Sequence, residues 1–248
     1  MKNKIPISIY IHWPFCTSKC PYCDFNSHIQ KNIDQNEWGN CLVSELNYII
    51  KTYFSDNLKK YYLKSIFFGG GTPSLIESSI LKKIVRKCIE KFKCFSLENE
   101  IEITLEANPN SLTKCKLLSF RDAGINRISI GAQSFDKKFL EFLGRDHSVY
   151  EAKRNIEYAR EVFENVSFDL IYAMPNQTVY EWEKSLKTAF QFEPDHLSLY
   201  QLTIEEGTAF NQMFKKGKLI PINNDLASEM YSITEDLTQK NQMPAYEV

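Results

Sequence analysis

Short runs of β-branched and aromatic residues alternate along the chain with longer stretches whose apolar positions recur at helical spacing. The runs predict strands at Ile5–Ile11, Lys64–Phe68, Glu100–Leu105, Arg127–Ile130, Val166–Ile171 and His196–Leu199. Amphipathic stretches lie between them at Gln35–Thr52, Glu77–Lys93, Thr113–Ala123, Val149–Phe163 and Thr178–Gln191. In the second of these Ile80, Leu81, Ile84, Val85, Cys88 and Ile89 share one face, and Lys82, Lys83, Arg86 and Lys87 lie largely opposite as a solvated face. A further helix is expected over Asn224–Lys240, packing back on the rest. Alternation of this kind implies parallel strands joined by right-handed helical crossovers, in an open doubly wound sheet or in a barrel.

The segments at the carboxyl ends of the strands favour the barrel. His12 and a group of cysteines come after the first, Gly69 to Pro73 after the second, and Glu106 to Pro109 after the third. The fourth leads to Gly131, Ala132, Gln133 and Ser134, the fifth carries Asp169 ahead of Met174 and Pro175, and the sixth ends at Tyr200 and Gln201. A plain connecting turn needs none of these. Sites in βα barrels are built from the loops at the carboxyl ends of the strands, so six such loops predict one composite site on one rim.

Composition narrows the classes. With 248 residues, 43% hydrophobic and 25% charged, the chain is neither disordered, collagenous nor a coiled coil, and it is long enough to bury a core without disulfide staples. Thirty Lys and Arg stand against thirty-one Asp and Glu, so no global field favours nucleic acid or an anionic membrane. No apolar run approaches the roughly 20 residues that span a bilayer. The segment from Met1 lacks the apolar core and cleavage site of a signal peptide, which predicts a cytoplasmic protein.

Seven cysteines without an export signal do not suggest a disulfide framework. Cys41, Cys88, Cys94 and Cys115 fall in predicted helices, where buried small hydrophobes are expected. Cys16, Cys20 and Cys23 instead crowd into a C-x3-C-x2-C loop, close enough to surround one metal centre. A closed structural zinc site would need a fourth ligand such as His12 or His28, leaving the barrel as a scaffold for interactions. A [4Fe–4S] cube normally takes four thiolates, so three leave one iron open to an outside ligand.

The run Tyr10 to Asn26, which contains these cysteines, resembles the amino-terminal motif of the radical S-adenosylmethionine superfamily. The match is to the branch that holds oxygen-independent coproporphyrinogen III dehydrogenase and the HemW-type heme chaperones. It continues through Gly69–Ser74, Leu105–Pro109, Asn126–Phe135, Leu143–His147 and Leu199–Glu205, and so covers essentially the whole chain. The dehydrogenase type carries a further cysteine two positions after the third, where this chain has Phe25 in the manner of HemW. Ala173 precedes Met174 and Pro175, where the branch usually has glycine before a Leu-Pro pair.

The resemblance implies a partial (βα)6 barrel of the TIM type. It implies that Cys16, Cys20 and Cys23 hold a [4Fe–4S] cluster whose open iron is chelated by the methionyl amine and carboxylate of S-adenosylmethionine. Matching positions for contacts to that cofactor are Tyr10, Gly70, Gly71, Thr72, Glu106, Gln133, Arg145 and Asp169. Among them the glycines would let backbone N–H groups approach the ligand, Glu106 and Asp169 would bind its amine or ribose hydroxyls, and Arg145 would meet its carboxylate. The superfamily's chemistry is one-electron cleavage of a carbon–sulfur bond, releasing a 5'-deoxyadenosyl radical.

For a HemW-type chain the implied function is binding of heme and its delivery to respiratory proteins. The alternative is oxidative decarboxylation of a porphyrinogen. No catalytic residue is assigned. Residues 1–222 are expected to form the barrel, with 223–248 as the start of a truncated carboxyl-terminal region in which Ala245–Val248 begins a strand. The His-Asn-x-x-Tyr-Trp motif that the branch links to heme does not occur. Of His12, His28, His147 and His196, none is expected as an axial ligand, and His147 is expected as a helix cap.

Overall fold

A computed structural model describes residues 4–30, 32–54, 57–92 and 101–247. Strand β1 (Ile5–Trp13) leads into a two-residue bridge between β2 (Phe15–Cys16) and β3 (His28–Ile29), then helix α1 (Gln35–Ile49) and a π-helical turn over Ile50–Phe54. Next come β4 (Tyr61–Gly70), α2 (Ser78–Phe92), β5 (Glu102–Ala107), α3 (Lys114–Asp122) and β6 (Arg127–Gln133). The last part holds α4 (Lys137–Phe142), α5 (Val149–Val162), β7 (Asn165–Tyr172), α6 (Val179–Phe190), β8 (His196–Gln201), α7 (Ala209–Lys215) and α8 (Asn224–Lys240).

The main sheet has six strands in the order β1-β4-β5-β6-β7-β8, every neighbour parallel, so it grows in chain order. It curls into half a barrel, the partial barrel expected. Side chains alternate between its faces as the pleat requires. Outward, Ile66, Phe68, Leu105, Ile128, Ile130, Val166, Phe168 and Leu170 are buried against the helices through Leu81, Ile84, Phe120, Ile156 and Leu186. Inward, the concave face is largely polar. Ser8 lies opposite Ser65 and bonds it at 2.7 Å, and Thr104, Ser129, Ser167 and Asp169 follow from strand to strand.

At the amino-terminal end of this face Arg127 closes the floor. Its guanidinium donates to Glu102 Oε1 at 3.4 Å, Thr104 Oγ1 at 3.5 Å and Ser167 Oγ at 3.2 Å. Beside it His196 Nε2 and Tyr246 Oη are 2.8 Å apart.

Local signals start the helices. Ser148 and Thr178 form reciprocal capping boxes with Glu151 and Glu181, and Asp34, Thr113 and Asn223 each accept an amide of the first turn. The expected packing of α8 is met, because Trp182 Nε1 donates to Thr234 Oγ1 at 2.8 Å and Met230 is fully buried.

Several expectations change. Most strands run further toward the rim than their apolar runs, because their last residues, among them His12, Gly69, Gln133 and Gln201, still pair with a neighbour. The first helix gives way at Ile50 to the π turn. Cys41 and Cys115 are exposed, since helical spacing rotates them away from the buried Leu46 and from Leu117 and Phe120; Cys88 is buried as expected. His147 does not cap α5. Ser148 does, and His147 is buried with Nε2 3.1 Å from Ala132 O. Ala245 to Glu247 are not strand. Lys93, Cys94, Glu100 and Val248 lie outside the described residues. Among the described residues no helix is long and apolar enough to cross a membrane.

Candidate functional site

The cysteine loop is pinned at its base by aromatic packing. Trp13, with no exposure, meets the ring of Phe15 edge-on at 5.3 Å, and Trp38 of α1 meets Phe15 at 4.9 Å. His28 N donates to Pro14 O at 2.7 Å and His12 Nε2 lies 3.0 Å from Asn26 O, so the loop leaves and returns at one point. Between those ends the turn at Pro21 and Tyr22 is closed by Cys23 N donating to Cys20 O at 3.1 Å.

The glycine segment after β4 lies directly against this loop. A Cβ at Gly71 would come within 2.7 Å of Phe15 O, and one at Gly70, whose φ is +111°, within 2.7 Å of the His12 ring. Gly71 N donates to Trp13 O at 2.7 Å, Thr72 N to Phe15 O at 2.9 Å, and Gly70 N to Glu106 Oε2 at 3.2 Å. These amides therefore bind the protein itself, which corrects the expectation that they would face a ligand. The glycines are needed for backbone to approach backbone.

A cavity of about 350 Å³ opens above these elements at the carboxyl ends of the strands. Cys16, Cys20, Cys23, Gly70, Gly71, Thr72, Glu106, Gln133, Arg145 and Asp169 all line it. Tyr10 does not. Its ring is 58% exposed on the inner face of β1, stacked on Phe67 with its hydroxyl beside Gly69. Asn108, within the Glu106 to Pro109 segment that follows β5, and Ser129, on the inner face of β6, also line the cavity; Ser129 carries no signal in the sequence that marks it.

Two thiols already accept hydrogen bonds, Cys16 Sγ from Thr72 Oγ1 at 3.4 Å and Cys20 Sγ from Arg145 Nη1 at 3.3 Å. Burial pushes the Cys23 thiol up, opposed by its hydrogen bond to the Phe25 backbone, so a thiolate there requires added positive charge. Burial works against the Arg145 cation, but Tyr22, Cys20 and Asp146 more than offset it and the net shift is upward. His12 is turned to Asn26 O and His28 is exposed, so neither completes a closed zinc site. Among the described residues no three His, Cys, Asp or Glu side chains are gathered tightly enough to ligate a single ion. Three thiols spaced round one loop suit a centre of several metals better.

Across the cavity Glu106 and Asp169 face each other from β5 and β7. Burial, then the charge of Asp169, pushes the Glu106 carboxyl up to about 7, against the Gly70 amide. Burial pushes Asp169 up to about 6, against hydroxyls of Ser198 and Ser129 and the charges of Arg145 and Arg127. Neither belongs to an ion pair among the described residues. Asn108 Oδ1, Gln133 Oε1 and Arg145 Nε are buried and unpartnered within the protein. Each such atom costs on the order of 1–3 kcal/mol until something bonds it. A ligand carrying an ammonium, hydroxyls and a carboxylate would answer these groups, the first two at the acceptors and the last at the arginine.

Comparison with known proteins gives the family. The family model described as "Radical SAM superfamily" matches residues 10–189. The chain is 42% identical over 207 residues to "Heme chaperone HemW" of Haemophilus influenzae, covering 83% of this chain and 53% of that one. It is 37% identical over 243 residues to "Heme chaperone HemW" of Bacillus subtilis, covering 97% and 62%. With "Radical S-adenosyl methionine domain-containing protein 1, mitochondrial" of Mus musculus it shares 37% over 242 residues, 97% of this chain and 53% of the relative. The solved structure of Escherichia coli coproporphyrinogen III oxidase (HemN), described as a radical SAM enzyme, superposes with a TM-score of 0.75 at 22% identity, covering 96% of this chain and 54% of that one. The chain spans about half the length of the curated relatives it matches.

Proposed function

Because the chain belongs to the radical SAM superfamily, we propose that Cys16, Cys20 and Cys23 hold a [4Fe–4S] cluster and that the cavity beside them takes S-adenosylmethionine. The observation that carries this reading is the meeting of three thiols, two half-buried carboxylates and a half-buried guanidinium on one cavity of about 350 Å³. Bound there, cluster and cofactor together would supply one-electron cleavage of a carbon–sulfur bond.

The chain's own residues then have distinct tasks. Glu106 and Asp169 receive the cofactor's cationic and hydroxyl groups and are held ionised by them. Arg145 offers its unbonded Nε to the carboxylate while Nη1 stays on Cys20. Gln133, held at φ +62° by the irregular register after Ile130, turns its free Oε1 to the same space. Thr72 bonds Cys16 from the far side, and Gly70 and Gly71 let the two loops close on each other. Tyr10 stands on the inner face of β1 beside Gly69, its exposed ring available to a larger partner.

The likeness to the two HemW proteins supports heme carriage to respiratory proteins over conversion of a porphyrinogen, and Phe25 in place of a fourth nearby cysteine supports the same choice. Residues 1–222 are read as the cluster-bearing core, residues 223–248 as a separate carboxyl-terminal segment whose helix α8 packs on it, and the cytosol as the site of action. Anaerobic reconstitution with iron and sulfide, followed by electron paramagnetic resonance of the reduced protein, tests the core of the reading. A [4Fe–4S] signal that shifts on adding S-adenosylmethionine is the expected result, and no cluster, or a signal indifferent to the cofactor, overturns it. Titration with heme and an anaerobic assay for decarboxylated porphyrinogen then separate carrier from enzyme.

A further inference from the structure

The cysteine loop has a seat that the cofactor site does not account for. The spacer between Cys16 and Cys20 projects into solvent, with Thr17, Ser18 and Lys19 all exposed. Its side-chain hydroxyls both reach one distant group, Ser18 Oγ donating to Asp146 Oδ2 at 3.2 Å and Thr17 Oγ1 to the same oxygen at 3.5 Å. Asp146 touches none of the three thiols in any hydrogen bond among the described residues.

Asp146 is placed by the turn that ends α4. Gly144 N donates to Glu141 O at 3.0 Å and Arg145 N to Leu140 O at 2.9 Å, a Schellman ending with glycine at φ +63°. The same Gly144 supports Pro21 of the loop, whose Cδ lies 2.7 Å from where a Cβ would stand. On either side of Asp146 the chain is fixed, by Arg145 to Cys20 Sγ and Gly131 O, and by buried His147 to Ala132 O. From the other flank Phe210 N of α7 donates to Pro21 O at 2.9 Å, over a small apolar cluster of Phe139, Leu143 and Phe210. Four successive residues, 144 to 147, thus hold either the loop or the strand end beside it.

We propose that Asp146 is a positioning residue that shapes the cysteine loop before any metal arrives, so that cluster assembly depends on a carboxylate that ligates nothing. This rests on the cluster reading above, but its test does not. In metal-free protein, hydrogen exchange of the amides at 16–23 reports the loop directly. Replacing Asp146 by alanine removes a charge-assisted acceptor for two hydroxyls and should raise that exchange about five-fold, while exchange in the sheet stays unchanged. Thr17→Val with Ser18→Ala should raise it equally, and the triple variant should go no further, since both changes remove the same bonds. Gly144→Ala, which pushes on Pro21, should loosen the loop by a separate route. Under reconstitution Asp146→Ala should take up iron and sulfide several-fold more slowly, and Asp146→Asn, which keeps an acceptor, should recover much of the rate. Unchanged exchange in Asp146→Ala, or fully additive effects in the triple variant, would overturn the proposal. Failure of the unaltered chain to take up iron would overturn the cluster reading instead.

Discussion

The two ends of the concave face make opposite use of charge. At the floor Arg127 is answered by Glu102, Thr104 and Ser167, and its neighbour His196 by Tyr246. At the rim Glu106 and Asp169 are half-buried with no ion pair among the described residues, and atoms of Gln133, Arg145 and Asn108 are left unbonded. The floor is largely finished by folding, with His196 Nδ1 left unbonded there. The rim holds groups that folding makes more costly, which is tolerated where a ligand later satisfies them.

The sharpest break between the ends should come from the thiols. Cys20→Ala is expected to lose nearly all iron and sulfide on reconstitution, because two thiolates do not hold a cube, whereas Cys88→Ala in the core should keep them and lose about 1 kcal/mol of stability. Metal analysis and urea unfolding of both variants check this.

Next in size is the pH dependence of the rim. Glu106 titrates higher in the folded chain than in the unfolded one, from 4.5 to about 7, so the folded state binds the proton more tightly. The contribution of Glu106 to the stability of the cofactor-free protein should therefore be greatest below pH 4.5 and fall as pH rises to about 7, with Asp169 adding a loss in the same direction between 3.8 and about 6, while buried His147, lowered to about 4, works the other way in acid. Glu106→Gln should remove its share, a gain of about 3 kcal/mol at pH 8 and none at pH 4, while weakening S-adenosylmethionine binding. Unfolding curves at the two pH values, with calorimetric titration of the cofactor, decide it.

A floor variant should do the reverse. Arg127→Met is expected to cost about 2 kcal/mol, by leaving the buried Ser167 and Thr104 hydroxyls without their donor, and to weaken cofactor binding only slightly, through the loss of its charge near Asp169. Smallest is a change remote from both ends. Ser148→Ala breaks the capping box of α5 and should cost about 1 kcal/mol at neutral pH and less in acid, where Glu151 is protonated.

The repeating units were legible because each strand carries an apolar run and each long helix an apolar stripe, and these periods survive without knowledge of the fold. Helices α4 and α7, of six and seven residues, are too short to display a period, although Asp136 and Thr208 mark their starts as caps. In the site, the thiols, Glu106 and Asp169 could be named because their chemistry is unusual where it stands. The direction in which the Gly70, Gly71 and Thr72 amides point could not, since it is fixed by contact with Trp13 and Phe15 across the sheet. Cys41 and Cys115 were misplaced because helical spacing tells which residues share a face only once the buried face is known. Asp146 reads in sequence as an ordinary surface carboxylate, its partners being far away along the chain.

That separation governs the order of events as the chain is made. Ser18 and Asp146 stand 128 positions apart, so the thiols leave the ribosome long before the turn that seats them. At roughly 5–20 residues per second the wait is on the order of ten seconds. Throughout it the three cysteines are an unshaped nucleophilic peptide, open to oxidation and to stray metals. Under the proposal for Asp146, loading of the loop would wait until more than half of the sheet has been laid down.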